Sequence, residues 1–376
     1  MKDADLLARL LIISLPKISP TRVRWLLKAA EPVEVVERLR KGLLPADSGR
    51  APAGMTRDVV DRWRRELLKL DPVSLLQNQH ANGISVLTPN DPRWPFAEDP
   101  EPPLVLFYVG DLDLLQCPSA LAVVGTRRCT SVGRTVSYGF GHDLATAGVA
   151  VISGLALGID GAAHGGALDA GGPVIGVVGS GLDVVYPGGN RDLWGRVSAA
   201  GLMLSECPAG TKPQRWRFPA RNRMIAGLSD GVIIVESHHK GGALLTVDET
   251  IDRGRAVFVV PGSVLSPASD GTNHLLTEGA VPVRDAEDVL IHLGLAVHSG
   301  QPEELPFGGS VAQEPEDKET QDPIIAQILN ELTTGPQHID ALVGATGKDV
   351  LAVTVAVQRM VADGLIKLDA STVSLL

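Results

Sequence analysis

The chain has 376 residues, 44% of them hydrophobic and 4% aromatic, and a formal net charge of −10. A length of this order asks for roughly two or three domains, and the acid excess excludes a protein that coats duplex DNA through its overall charge. Binding still depends on local patches. Cys117, Cys129 and Cys207 lack CxxC spacing and the histidines lack ligand spacing, which excludes a disulfide framework and a zinc site. With no leader-like start and no apolar run near the ~18 residues of a membrane span, a cytoplasmic protein without cofactor or metal is expected.

In chain order, residues 1–72 read as a helical domain built from LLARLLIISL, SPTRVRWLLKAA and PVEVVERLRKGL, with Pro20 in a first turn after a capping serine. The order helix, LPKIS, helix resembles a SAM-like or helix-hairpin-helix module, with serine where a hairpin would want glycine. Packing and phosphate binding both stay open for it. Residues 73–296 read as a Rossmann-like domain. NGISVLTPNDPRWP gives a short strand and a Pro-rich turn, and PPLVLFYVGD an apolar strand. LAVVG, VAVISG, PVIGVVGSG, LMLSE, GVIIVES and RAVFVVPG then each feed a helix. This alternation predicts an α/β fold with a mostly parallel sheet covered on both faces, whose ligands bind beyond the carboxyl ends of the strands.

Residues 297–322 read as an acidic linker and residues 323–376 as a winged-helix-like domain of three helices and a hairpin. From residue 322 onward three cations oppose six acids, and the helix in the recognition position carries only Arg359. A protein-contact or packing role is expected of it, since duplex reading wants a basic helix.

The most concentrated basic stretch is TKPQRWRFPARNR (211–223), in which Trp216 and Phe218 stand among Lys212, Arg215, Arg217, Arg221 and Arg223 with no acid. Cations for phosphates and flat faces for unstacked bases are what a single nucleic-acid strand needs. The plainer reading is a solvated cationic loop that balances nearby acids. In VVGTRRCTSVG, Gly125 permits a sharp turn, Thr126 and Ser131 offer hydrogen bonds to an anion, and Arg127 and Arg128 supply charge. No GK[ST] ending follows, so this is not a nucleotide-hydrolysing loop. SGLALGIDGAAH places Ser153 and Gly154 at a strand end and Asp160 as a helix N-cap, while His164 lacks a Ser or Cys partner for chemistry. VVGSGLDVVYPGGN fails as a dinucleotide fingerprint at Val184, where close helix packing needs a small residue. ESHHKGGALLTVDE adds Lys240 and two glycines. Loops at one sheet edge, several of them cationic, without a nucleophile–base pair or metal ligands, predict a polyanion-binding site and no enzyme.

The motifs VVGTRRCTSVG, SGLALGIDGAAH, GSGLDVVYPGGN, FPARNRMIAGLS, KGGALLT, GRAVFVVPGS and DGTNHLLTEGA stand in the order that resembles the DNA-processing protein A (DprA/Smf) family, over roughly residues 82–295. The resemblance implies a protein that binds single-stranded DNA, forms a homodimer through its Rossmann-like domain and loads RecA recombinase onto incoming strands in natural transformation. Residue by residue, it implies strand contacts at Arg127, Ser153, Gly154, Arg221, Asn222, Arg223 and Lys240. Arg128, Arg215, Arg217 and Phe218 join this set on their own chemistry. Gly241, Leu157 and Thr250 depart from the family's usual serine, lysine and alanine, which implies weaker strand affinity.

A competing reading is a lysine-decarboxylase-like nucleotide phosphoribohydrolase on a related sheet. Here Gly241, Gly242, Thr246 and Glu249 spell GGxxxTxxE, one residue longer than PGGxGTxxE. The extra residue turns Glu249 about 100° around its helix, away from such a site.

Overall fold

The computed structural model describes residues 2–295 apart from 29 and 46–48, and residues 323–375 apart from 334, 349, 363–365 and 370–371. The expected linker 297–322 lies outside the described residues. The chain divides into two compact units, Met1–His298 and Ser299–Leu376.

The first unit opens with α1 (Lys2–Ile13), α2 (Pro20–Leu27), α3 (Pro32–Arg40), α4 (Arg57–Leu67) and α5 (Pro72–Ala81). Proline begins α2, α3 and α5, where its missing N–H leaves no helical bond unmade. Ser19 caps α2 by accepting from the Arg22 N–H, and Asp71 caps α5 by accepting from Val73 and Ser74. The apolar faces bury Leu10, Ile12, Leu26, Leu39, Trp63 and Leu67 in a cluster that also holds Phe107 and Val105 of the following segment. The helical segment therefore shares a core with the sheet. Between α1 and α2 the Trp63 indole donates to the Pro16 carbonyl at 2.9 Å and Arg22 to the Lys17 carbonyl at 2.9 Å. These bonds hold Lys17 at φ 57°, a left-handed conformation that costs a non-glycine residue roughly 1–2 kcal/mol.

Strands β1 (Ser85–Leu87), β2 (Leu106–Gly110), β3 (Ala120–Val124), β4 (Ala150–Ser153), β5 (Val174–Val178), β6 (Leu202–Ser205), β7 (Gly231–Ile234), β8 (Ala256–Val259) and β9 (Val281–Pro282) form one sheet. Its order is β1-β2-β6-β5-β4-β3-β7-β8-β9. The β1–β2 and β2–β6 pairs are antiparallel and all the others parallel. The connections carry α6 (Ser131–Thr146), α7 (Ile159–Asp169), α8 (Arg191–Ala200), α9 (Arg217–Leu228), α10 (Leu244–Ile251) and α11 (Asp270–Thr277), and α12 (Ala286–His292) closes the unit.

Alternate strand residues go to opposite faces. Leu121, Val123, Val151 and Ile233 share a core with Phe140 of α6, Ala163 of α7 and Val197 of α8. Their neighbours Ala122, Val124, Ile152 and Val232 share the other core with Met224 of α9, Val247 of α10 and Leu275 of α11. The chain winds outward from β3 to β6, then returns to lay β7 against the other side of β3. The helices after β3 and β7 consequently sit on opposite faces, and a crevice opens between the two loops.

The second unit contains α13 (Pro323–Leu332), β10 (Gln337–His338), α14 (Ile339–Thr346), α15 (Val350–Ala362), β11 (Ile366–Asp369) and β12 (Thr372–Leu375), with sheet order β10-β12-β11. Ile328, Leu342, Val353, Val357 and Val373 form its own core. Among the described residues no helix is long and apolar enough to cross a membrane.

His164 on α7 is fully buried, with Nε2 3.3 Å from the Ile175 carbonyl. Burial pulls its pKa down from 6.5 to about 4, so between those values the unfolded chain binds a proton that the folded chain refuses. Stability should therefore fall as pH drops through this window, by at most ~1.4 kcal/mol per pH unit from this group. The difference in denaturation free energy between the parent and His164→Gln, followed from pH 7 to pH 4, isolates the effect. A difference that does not change with pH refutes it.

Candidate nucleic-acid interface

The crevice between the loops after β3 and β7 is a cavity of about 670 Å³. Gly125, Thr126 and Arg127 line it from the loop after β3, Asp160 from α7 and Tyr186 from the loop after β5. Arg215, Phe218, Arg221 and Asn222 of the basic segment complete it, with Ser237, Gly241, Gly242, Ala243, Leu245 and Thr246 from beyond β7. Hydrogen bonds tie these loops together. The Thr126 N–H donates to the Glu236 carbonyl at 2.8 Å, and the Thr126 carbonyl accepts from the Ile159 N–H at 3.3 Å. The Glu236 carboxylate accepts from the Thr130 N–H at 2.9 Å and from its hydroxyl at 2.5 Å, while the Thr130 oxygen caps α6 through the Gly133 N–H. Thr126 and Glu236 thus fix the mouth from three elements.

Arg221 forms the floor. It is 5% exposed, its Nη1 donates to the Val177 carbonyl at the end of β5, and its Nε has no partner among the described residues. The guanidinium lies against Gly154 so closely that any Cβ there would overlap it. Burial draws Arg221 down to about 10, opposed by Asp160, which leaves it charged at neutral pH. The same burial raises the Asp160 carboxyl, against the pull of Arg221. Asp160 does not cap its helix as expected. Gly158 holds the cap position, and the Asp160 carboxylate accepts from the Gly154 N–H at 3.1 Å instead.

One wall is aromatic. Tyr186 and Phe218 stack with centroids 5.4 Å apart and planes at 28°, and the Arg127 guanidinium stands 4.9 Å over the Phe218 ring. A cation on one aromatic face is favourable in itself, and it brings an exposed charge beside ring surface. Tyr186 and Asp160 were not among the expected site residues. Tyr186 stands in a turn sequence, and nothing in its neighbours signals the stack with Phe218.

Of the expected set, Arg127, Arg215, Phe218, Arg221 and Asn222 come together in the cavity. The others lie elsewhere. The Ser153 hydroxyl is buried and donates to the Val123 carbonyl at 2.6 Å, joining β4 to β3. Arg223 is 3% exposed and pairs with Glu206 while donating to the Glu101 carbonyl. α9 starts at Arg217, so Arg221 and Arg223 stand two residues apart within a helix and face away from each other. Arg217 covers the Trp216 ring at 4.5 Å and donates to Cys207 Sγ at 3.0 Å. Arg128 and Lys240 are exposed outside the lining. At Gly241 a Cβ would overlap the Ser237 hydroxyl. Among the described residues no cluster of His, Cys, Asp or Glu is arranged to hold a metal ion.

The fold and cavity define a Rossmann-like protein with a cationic crevice walled on one side by aromatic rings. Residues 85–294, more than half the chain, match the family model described as DNA recombination-mediator protein A, and the chain belongs to that family. That description is one of mediation, not of a catalysed reaction. The DNA processing protein DprA of Streptococcus pneumoniae is 45% identical over 201 residues, which cover 52% of this chain and 69% of that protein. Its X-ray structure superposes with a TM-score of 0.63 at 35% identity, covering 75% of this chain and 95% of that one. A structure of DNA processing protein A from Helicobacter pylori, described for its single-stranded DNA binding mode, superposes with a TM-score of 0.51 at 32% identity over 56% of this chain and 95% of that one.

The two buried arginines of α9 should behave differently from Arg127. Arg223→Ala strands the Glu206 carboxylate, already raised by burial, and should lower stability by ~3–5 kcal/mol in chemical denaturation. Arg127→Ala should stay within about 0.5 kcal/mol of the parent. Equal effects would contradict this division of roles.

Proposed function

We propose that the cavity binds the backbone and bases of single-stranded DNA, with Arg127, Arg215 and Arg221 meeting phosphates, Asn222 hydrogen-bonding the strand, and Phe218 and Tyr186 offering a stacking face. The observation that carries this reading is the Arg127–Phe218–Tyr186 stack lining the same cavity as the buried Arg221 charge. The single-stranded DNA binding mode described for the Helicobacter pylori relative supports it. On this reading the protein acts in the cytoplasm as a homodimer formed through the Rossmann-like domain and hands the strand to RecA recombinase during the uptake and recombination of incoming DNA. Residues 323–376 act as a separate winged-helix-like domain that contacts protein.

The nucleotide-hydrolysing alternative is disfavoured by Glu249, whose carboxylate accepts from Arg253 Nη1 at 2.7 Å and is not part of the cavity lining.

Gel-shift titration should show tighter binding to a single strand than to the blunt duplex of the same sequence, and equal or tighter duplex binding would sink the proposal. Arg127→Ala should weaken binding to every sequence and flatten the log–log salt dependence by about 0.7, one phosphate's worth. Phe218→Ala should cost ~1–3 kcal/mol of affinity and leave that slope unchanged, because stacking releases no counterions.

A chain ending at Gln321 should keep its single-strand affinity or gain slightly at low salt, since the removed residues carry more acids than bases and repel phosphate. A loss beyond about tenfold would show that the second unit contacts DNA.

A further inference from the structure

The basic segment has a second side. While Arg215 and Phe218 face the sheet-edge cavity, their neighbours Gln214, Trp216 and Arg217 line a separate groove of about 670 Å³ against the α1–α2 turn. Lys17, Ser19 and Arg22 form its opposite wall, and no acid lines it among the described residues. In a chain of net charge −10, the three cations Lys17, Arg22 and Arg217 line this groove together with the Trp216 indole, which is 40% exposed. The Lys17 side chain makes no hydrogen bond or ion pair among the described residues, whereas Arg22 is held by the Lys17 and Gly54 carbonyls. The left-handed backbone at Lys17 is thereby fixed from two sides, by Trp63 below it and Arg22 beside it.

We infer that a single strand leaving the cavity crosses the 214–218 ridge into this groove, where Trp216 stacks a base and Lys17 neutralises a phosphate. Rings interleaved with cations along one path are the features of strand binding without sequence preference. The two cavities share one wall, so a continuous chain of nucleotides needs no other bridge. This rests on the cavity being a strand site, and it gives the N-terminal helices a share in that binding.

The test uses the full chain and labelled oligothymidylates of about 6 and about 16 nucleotides, which span the site sizes seen in strand-binding folds. The parent should bind the longer strand more tightly. Trp216→Ala should bind the short strand like the parent and the long one roughly tenfold more weakly. Lys17→Gly relieves the left-handed backbone and therefore folds at least as well. It should still lose long-strand affinity, with the salt slope on that strand flattened by about 0.7. Arg127→Ala serves as the control and should weaken both lengths alike. Parent-like long-strand binding by both variants, or equal losses on both lengths, overturns the inference. If Arg127→Ala weakens binding while the two groove variants do not, the extended path alone fails. If the parent binds neither strand, the cavity reading falls and the extension falls with it.

Discussion

The arrangement of the cavity depends on one constraint, the burial of the Arg221 guanidinium beneath the carboxyl ends of β4 and β5. A cation removed from water is tolerated only with partners that replace its hydration. Here the Val177 carbonyl supplies a hydrogen bond and Asp160 supplies opposite charge. The space for it exists because residue 154 is glycine. These requirements set the seat of α9 against the strand ends and so fix which of its residues reach the crevice. Arg221 then contributes a positive charge at low dielectric, where it acts more strongly than a solvated one. Arg127, held on the Phe218 ring, supplies an exposed charge at the mouth.

Much of this was legible in the residues and some was not, for identifiable reasons. Six buried strands are continuous apolar runs, and their alternation with helices is enough for a parallel α/β sheet. β9 has two residues and is too short to carry a pattern. α4, RDVVDRWRREL, buries only Val60, Trp63 and Leu67, so its charged majority hides a narrow apolar stripe. In the basic segment the residue types were readable but their directions were not. The 211–223 stretch reads in its plainer form as a cationic loop, whereas a helix already starts at Arg217. That helix turns Arg223 onto Glu206 and leaves Arg221 beneath the crevice. A pairing such as Tyr186 with Phe218 joins two segments that no local periodicity relates.

Net charge was a poor guide because the acids are not distributed at random. Asp99 and Glu249 pair with Arg253, and Glu206 with Arg223, at places away from the cavity. Of the described residues that line the cavity, Asp160 is the only acid, and its carboxyl is raised by burial and faces Arg221. The local field at the crevice is therefore cationic within an acidic molecule. An acidic remainder also disfavours loose adherence to duplex DNA.

Sheets with glycine-rich loops at a switch point also serve enzymes, and the difference here lies in what the nearby titratable groups are doing. Glu236 is tied to Thr130 and caps α6 through it. Glu249 is turned onto Arg253. His164 is buried on the Ile175 carbonyl with a pKa near 4, too low to act as a base poised near neutral pH. Each of these three groups is thus engaged in holding a loop, a helix or a strand. What lines the crevice is charge and ring faces, the groups on which the proposed strand binding rests.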